Sequence, residues 1–128
     1  MNEKYLEIVQ KINELVPTIS EAFEHIVNVQ IPELRFEDSF YLLNDIIEAF
    51  LSISNALKII QTEFDLQNAM SLENEIQQSL ENLLELYKEP TSEKLLKKYK
   101  DDVIPLYKKW QEEILLSINK YQARKTNS

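Results

Sequence analysis

Apolar residues recur along this chain in steps of three and four, the spacing that places side chains on one face of an α-helix. The first stripe runs Tyr5, Ile8, Val9, Ile12, Leu15, Val16, Ile19, Ala22, Phe23 and Ile26. Pro17 lies inside it. An interior proline removes a backbone donor and crowds the preceding turn, and because the stripe keeps its phase across Pro17, a kink is predicted rather than a break. Ile31-Pro32 is expected to close this helix, since the residue before a proline is pushed out of the helical region.

A second stripe runs Phe36, Phe40, Leu43, Ile47, Phe50, Ser54, Leu57, Gln61 and Phe64, with Asp38 or Ser39 placed to cap its start. Ile46, Ile53 and Ile60 widen it on one side. Only Asn44, Asp45, Glu48, Ser52, Asn55 and Lys58 form a polar strip, so this helix is predicted to be the most buried. The third stripe is Ala69, Leu72, Ile76, Leu80, Leu83 and Tyr87, ended by Pro90, with the preceding turn somewhere in 62–71. The fourth, capped by Thr91 or Ser92, is Leu96, Tyr99, Val103, Tyr107, Trp110, Ile114, Ile118 and Tyr121. Asp101-Asp102 ahead of Pro105 offers a kink or a restart, because proline is tolerated in a first helical turn. Four stripes with short connections predict an all-α, antiparallel up-down four-helix bundle, with one domain over 1–122 and a polar tail over 123–128.

The absence of glycine sharpens this picture, because average usage of about 7% would supply roughly nine in 128 residues. Phosphate-cradling loops, dinucleotide-binding turns and tight hairpins depend on glycine's access to positive φ, so those sites are not expected. The absence of cysteine excludes thiol catalysis, thiolate metal sites and disulfides. Charges crowd the first seven residues where a signal peptide would be apolar, and no stretch approaches the ~18–20 apolar residues of a membrane span. A cytoplasmic protein is expected, and its Lys-, Ile-, Asn- and Glu-rich usage suits an AT-rich bacterial genome.

His25, the sole histidine, borders the first stripe one turn after Glu21 and is read as a boundary residue. Two acidic pairs are the candidate metal ligands: Glu21 and Glu24 on the first helix, Asp45 and Glu48 on the second, four carboxylates that together could hold magnesium. These pairs resemble the acidic motifs of the all-α nucleotide pyrophosphatases, which are similar in size and helix count; the resemblance implies a magnesium-dependent hydrolase. It rests on four residues, and the second pair departs from that family's order, in which glutamate comes first and aspartate last. Helical phase also turns Glu24 and Glu48 outward.

Charge is divided along the chain. Residues 1–90 hold 5 Lys/Arg and 17 Asp/Glu, a net of −12, whereas residues 91–128 hold 9 and 5, a net of +4. Lys94, Lys97, Lys98, Lys100, Lys108 and Lys109 offer an anion- or nucleic-acid-binding face. Against nucleic acid, the aromatic residues of that helix fall on its buried stripe, and acidic residues interrupt the lysines.

The surplus of apolar residues on the second helix points elsewhere. Leu42, Ile46, Leu51, Ile53, Ile59 and Ile60 exceed what a narrow bundle seam requires, and large apolar patches are rarely left bare on soluble monomers. The expected function is that of a non-enzymatic interaction protein: an adaptor, small regulator or chaperone acting through these residues on a protein partner or in a homodimer. No cofactor, membrane or nucleic acid is expected in that role.

Overall fold

The computed structural model describes residues 3–126, with side chains described as far as Asn119. Six helical segments make four antiparallel rods. The first rod is α1 (Glu3–His25) continued by a π-helical turn, Ile26–Gln30. The second is α2 (Phe36–Ile60), and the third joins α3 (Gln67–Ser71) to α4 (Glu73–Leu86). The fourth joins α5 (Ser92–Lys98), a second π-helical turn (Tyr99–Val103) and α6 (Ile104–Thr126). The bundle predicted from the four stripes is therefore the observed fold. The segment expected as a polar tail, 123–128, is helical as far as Thr126; its last two residues and the side chain of Tyr121 lie outside the described residues.

Proline lies inside a helix at Pro17 and Pro105 and just beyond one at Pro32. α1 runs without interruption through Pro17. The first rod's helix ends at Gln30 with Ile31 as its cap, so the Ile31-Pro32 pair closes it as expected, although Ile31 itself keeps helical angles (φ −66°, ψ −46°). The turn ahead of the proline also widens: the amide of Ile31 donates to the carbonyl of Ile26, five residues back, at 2.9 Å. Before Pro105 the same thing happens, with the Ile104 amide bonded to the Tyr99 carbonyl. One extra residue in the turn makes room for a ring that would otherwise collide with the carbonyl four residues behind it. Because of it, the fourth rod continues through Pro105 without the restart that Asp101-Asp102 suggested.

The first rod ends at Leu34, which takes the left-handed conformation (φ 61°). Its amide bonds to the Ile31 carbonyl at 2.9 Å, and the Arg35 amide reaches the Gln30 carbonyl at 2.8 Å. This two-bond cap normally employs glycine. In a chain without glycine a leucine occupies it, at a cost of about 1–2 kcal/mol.

At the start of α2 neither expected cap forms. Asp38 accepts from the Arg35 Nε (2.8 Å), and the Ser39 hydroxyl donates back to the Phe36 carbonyl (2.9 Å). Thr91 does cap α5, accepting from the Lys94 amide at 3.3 Å.

One continuous core fills the bundle, drawn from every rod. Its centre is aromatic: Trp110 is fully buried with its ring 4.8 Å from Phe50 and 5.7 Å from Tyr107, and Phe23 meets Tyr107 edge-on at 5.5 Å. Such pairs contribute about 0.5–1.5 kcal/mol each beyond their buried area. The Tyr107 hydroxyl donates to the Val16 carbonyl at 2.5 Å, tying α6 to α1. At the far end, Ser117 donates to the Asp65 carbonyl (2.6 Å) and clips the turn after α2 onto α6.

Candidate functional site

α2 begins beside the place where α4 ends, and the step between them leaves a groove of about 560 Å³. Phe36, Phe40 and Asn44, spaced four apart, lie on one face of α2 and form one wall. Leu84, Tyr87 and Pro90 form the other. Pro90 cannot continue a helix and ends the third rod here, so no further turn of α4 covers the phenylalanines. Phe36 and Phe40 are consequently only half-buried, with the Phe40 and Tyr87 rings 5.4 Å apart.

A relay of hydroxyls beneath the groove fixes the Tyr87 ring. Ser39 donates to the Phe36 carbonyl, so its oxygen is left to accept from Tyr87 (2.9 Å); Tyr87 in turn accepts from Tyr99 (2.7 Å). Burial pushes the Tyr99 phenol far above its ordinary value, so it remains a proton donor. Since the Tyr87 hydroxyl is engaged below, the groove receives the ring's carbon edge. The rim is mainly acidic, with Glu37 and Glu85, and Lys88 is drawn into an exposed 3.0 Å ion pair with Glu85.

The six apolar residues expected to form a contact surface do not share a face. Ile46, Ile53 and Ile60 are closed off from solvent in the core. Leu42 is half-buried against α1. Only Leu51 (45% exposed) and Ile59 (50%) face water, about 12 Å apart along the helix. The reason is packing. α2 lies closely against α1 and reaches α6 through Phe50, so two sides of it are consumed by burial.

Glu21, Glu24, Asp45, Glu48 and His25 are all exposed. Among the described residues no three His, Asp or Glu side chains come close enough to hold a metal ion. The lysines of the fourth rod are dispersed: Lys98 is paired with Asp102, whereas Lys100 and Lys108 turn toward α1. Tyr99, Tyr107 and Trp110 are buried, as the stripe predicted.

Sequence periodicity missed one feature, a polar cluster inside the bundle. Glu73 is half-buried, and the hydroxyl of Ser54 and the indole N–H of Trp110 face its carboxylate without reaching hydrogen-bond geometry. Burial pushes the Glu73 carboxyl above the usual carboxylate range, while Ser54, Trp110 and the charge of Lys58 pull it back. The only hint in the sequence was Ser54 occupying a core position of the second stripe.

The chain belongs to the family of a domain of unknown function, DUF8042. The match covers residues 7–113, from the first turns of α1 to the middle of α6, and so includes the groove, the hydroxyl relay and both π-helical turns of this DUF8042 domain. No curated protein and no solved structure matches the chain. Among the described residues no helix is long and apolar enough to cross a membrane.

Proposed function

We propose that this domain is a non-enzymatic binding module of the cytoplasm that holds an amphipathic helix of a partner protein in the groove between α2 and α4. The observation that carries the proposal is the pair of half-buried rings, Phe36 and Phe40, in an apolar cleft of about 560 Å³. Helix-in-groove recognition uses apolar anchors at three- and four-residue spacing on the bound helix, and Phe36 and Phe40, one turn apart, would meet two successive anchors.

Charge selects the partner. The groove rim carries Glu37, Glu85 and Lys88, the last paired with Glu85, on a body with 17 acidic and 5 basic residues over 1–90, so a helix with a basic outer face is attracted. A homodimer that laid α2 against α2 would bring those carboxylates together and is disfavoured by their repulsion.

The test uses a synthetic helix with leucines at every third or fourth position and lysines on its other face, beside a version with glutamates in place of lysines. Fluorescence anisotropy should show binding of the lysine form, weakened about tenfold or more by Phe40→Ala, as expected for an anchor at a groove centre. Equal binding of both peptides, or indifference to Phe40→Ala, would contradict the proposal. Sedimentation that shows a stable dimer covering the groove would replace the partner helix with a second copy.

A further inference from the structure

The two π-helical turns occupy equivalent positions, each ending two residues before the proline of an Ile-Pro pair, and they lie on antiparallel rods that touch. Both line one cavity of about 250 Å³ between α1 and the fourth rod, the first through Val27 and Asn28 and the second through Lys100. A π-helical turn swells the helix and shifts its side chains out of register with the turns on either side. The two widened turns thus border the cavity from opposite rods.

The cavity's chemistry is divided. Its floor is apolar, made by Phe23, Val27, Ile104 and Tyr107. The Tyr107 hydroxyl is spent on the Val16 carbonyl, so that residue offers ring carbon, and Phe23 meets the ring edge-on. At the mouth are Lys100 and Lys108 with Glu24 opposite. Among the described residues none of these three has an ion-pair partner, although the chain has 22 acidic side chains for 14 basic ones. Ser20 is engaged with Gln111 at 3.0 Å, which leaves Asn28 as the free neutral hydrogen-bonding group.

We infer that this cavity is a binding site for a small organic anion with an apolar body, its carbon skeleton on Phe23 and Tyr107 and its anionic group between Lys100 and Lys108. Two unpaired cations against one carboxylate leave the mouth net positive on a negative protein. An anion is therefore favoured at this place, on the basic fourth rod, while the acidic surface of residues 1–90 repels it. This site is separate from the α2–α4 groove, so the two proposals stand or fall independently.

Anilinonaphthalene sulfonate, an aromatic body with one sulfonate, is a suitable probe. Its fluorescence should saturate at one molecule per chain, and affinity should fall about tenfold when Lys100→Gln and Lys108→Gln are combined, with a loss of salt dependence. Glu24→Gln should tighten binding a few-fold by removing the one repelling charge. Phe40→Ala should leave it unchanged. All these side chains are at the surface or rim, so folding is preserved and helicity can be checked by circular dichroism. Absence of saturable binding, unchanged affinity in the double lysine variant, or loss caused by Phe40→Ala would each overturn the assignment.

Discussion

In the first half of α2, Phe36 and Phe40 keep part of each ring open because the third rod stops beside them; in the second half, Ile53, Leu57 and Ile60 are wholly withdrawn from water. The halves also differ in charge, the first carrying Glu37, Asp38, Asp45 and Glu48 and the second only Lys58, but both are rich in apolar residues. Their difference in exposure lies in what stands next to them. Leu51 and Ile59 face water singly, whereas Phe36 and Phe40 line a groove where a neighbouring element ends early, at Pro90 and the end of α4 at Leu86.

Substitutions along α2 should reproduce this contrast, with the largest effects in the second half. Ile53→Ala removes a fully buried side chain and should cost about 2–5 kcal/mol, read as a lowered midpoint in urea unfolding. Tyr99→Phe, beneath the first half, should cost about 0.5–1.5 kcal/mol by removing the donor to Tyr87. It should also weaken peptide binding in the groove, because the Tyr87 ring loses an anchor. Leu34→Gly, where the chain turns toward α2, should act in the opposite direction. It relieves the left-handed leucine, and after glycine's larger unfolded-state entropy is subtracted a gain of about 0.5–1 kcal/mol is expected in the same urea titration. Leu51→Ser and Ile59→Ser, on the exposed outer face, should stay within about 0.5 kcal/mol of the parent and leave peptide affinity unchanged.

The smallest effect depends on pH. Glu73 has its folded-state pKa raised above the ordinary carboxylate value, so its protonated form is the one the fold favours. Its favourable contribution is present below the ordinary value near 4.5 and is lost as pH rises through the raised folded value. Glu73→Gln should therefore raise the melting temperature more at pH 7 than at pH 4. A larger gain at pH 4 would contradict this reading.

Much of the fold was legible in the sequence because helical periodicity is local. The stripes located all four rods; the turn expected in 62–71 falls at 61–66, so Gln61 and Phe64 of the second stripe lie just beyond the end of α2. The features that escaped reading depend on neighbours or on rare backbone geometry. Leu34 gives no sign of a left-handed turn, since glycine or asparagine usually marks one. Ile31-Pro32 reads as a helix end and is one, whereas Pro105 reads as a kink or restart, yet a widened turn lets the fourth rod pass it. The residues just beyond each proline decide the outcome: exposed Glu33, Leu34 and Arg35 end the first rod, whereas buried Tyr107 and Trp110 carry the fourth onward. The groove was half legible. Its phenylalanines lie on the second stripe, but their exposure depends on where another helix stops. The Glu73 cluster joins three rods, and no periodicity within one of them reveals it.

Mapping the lysine-faced helical peptide onto the domain by amide chemical shifts tests the α2–α4 groove most directly. Shifts are expected to be confined to Phe36, Phe40, Asn44, Leu84, Tyr87 and Lys88, and to disappear in Phe40→Ala. Shifts centred instead on Leu51 and Ile59, or persisting unchanged in Phe40→Ala, would contradict helix binding at that groove.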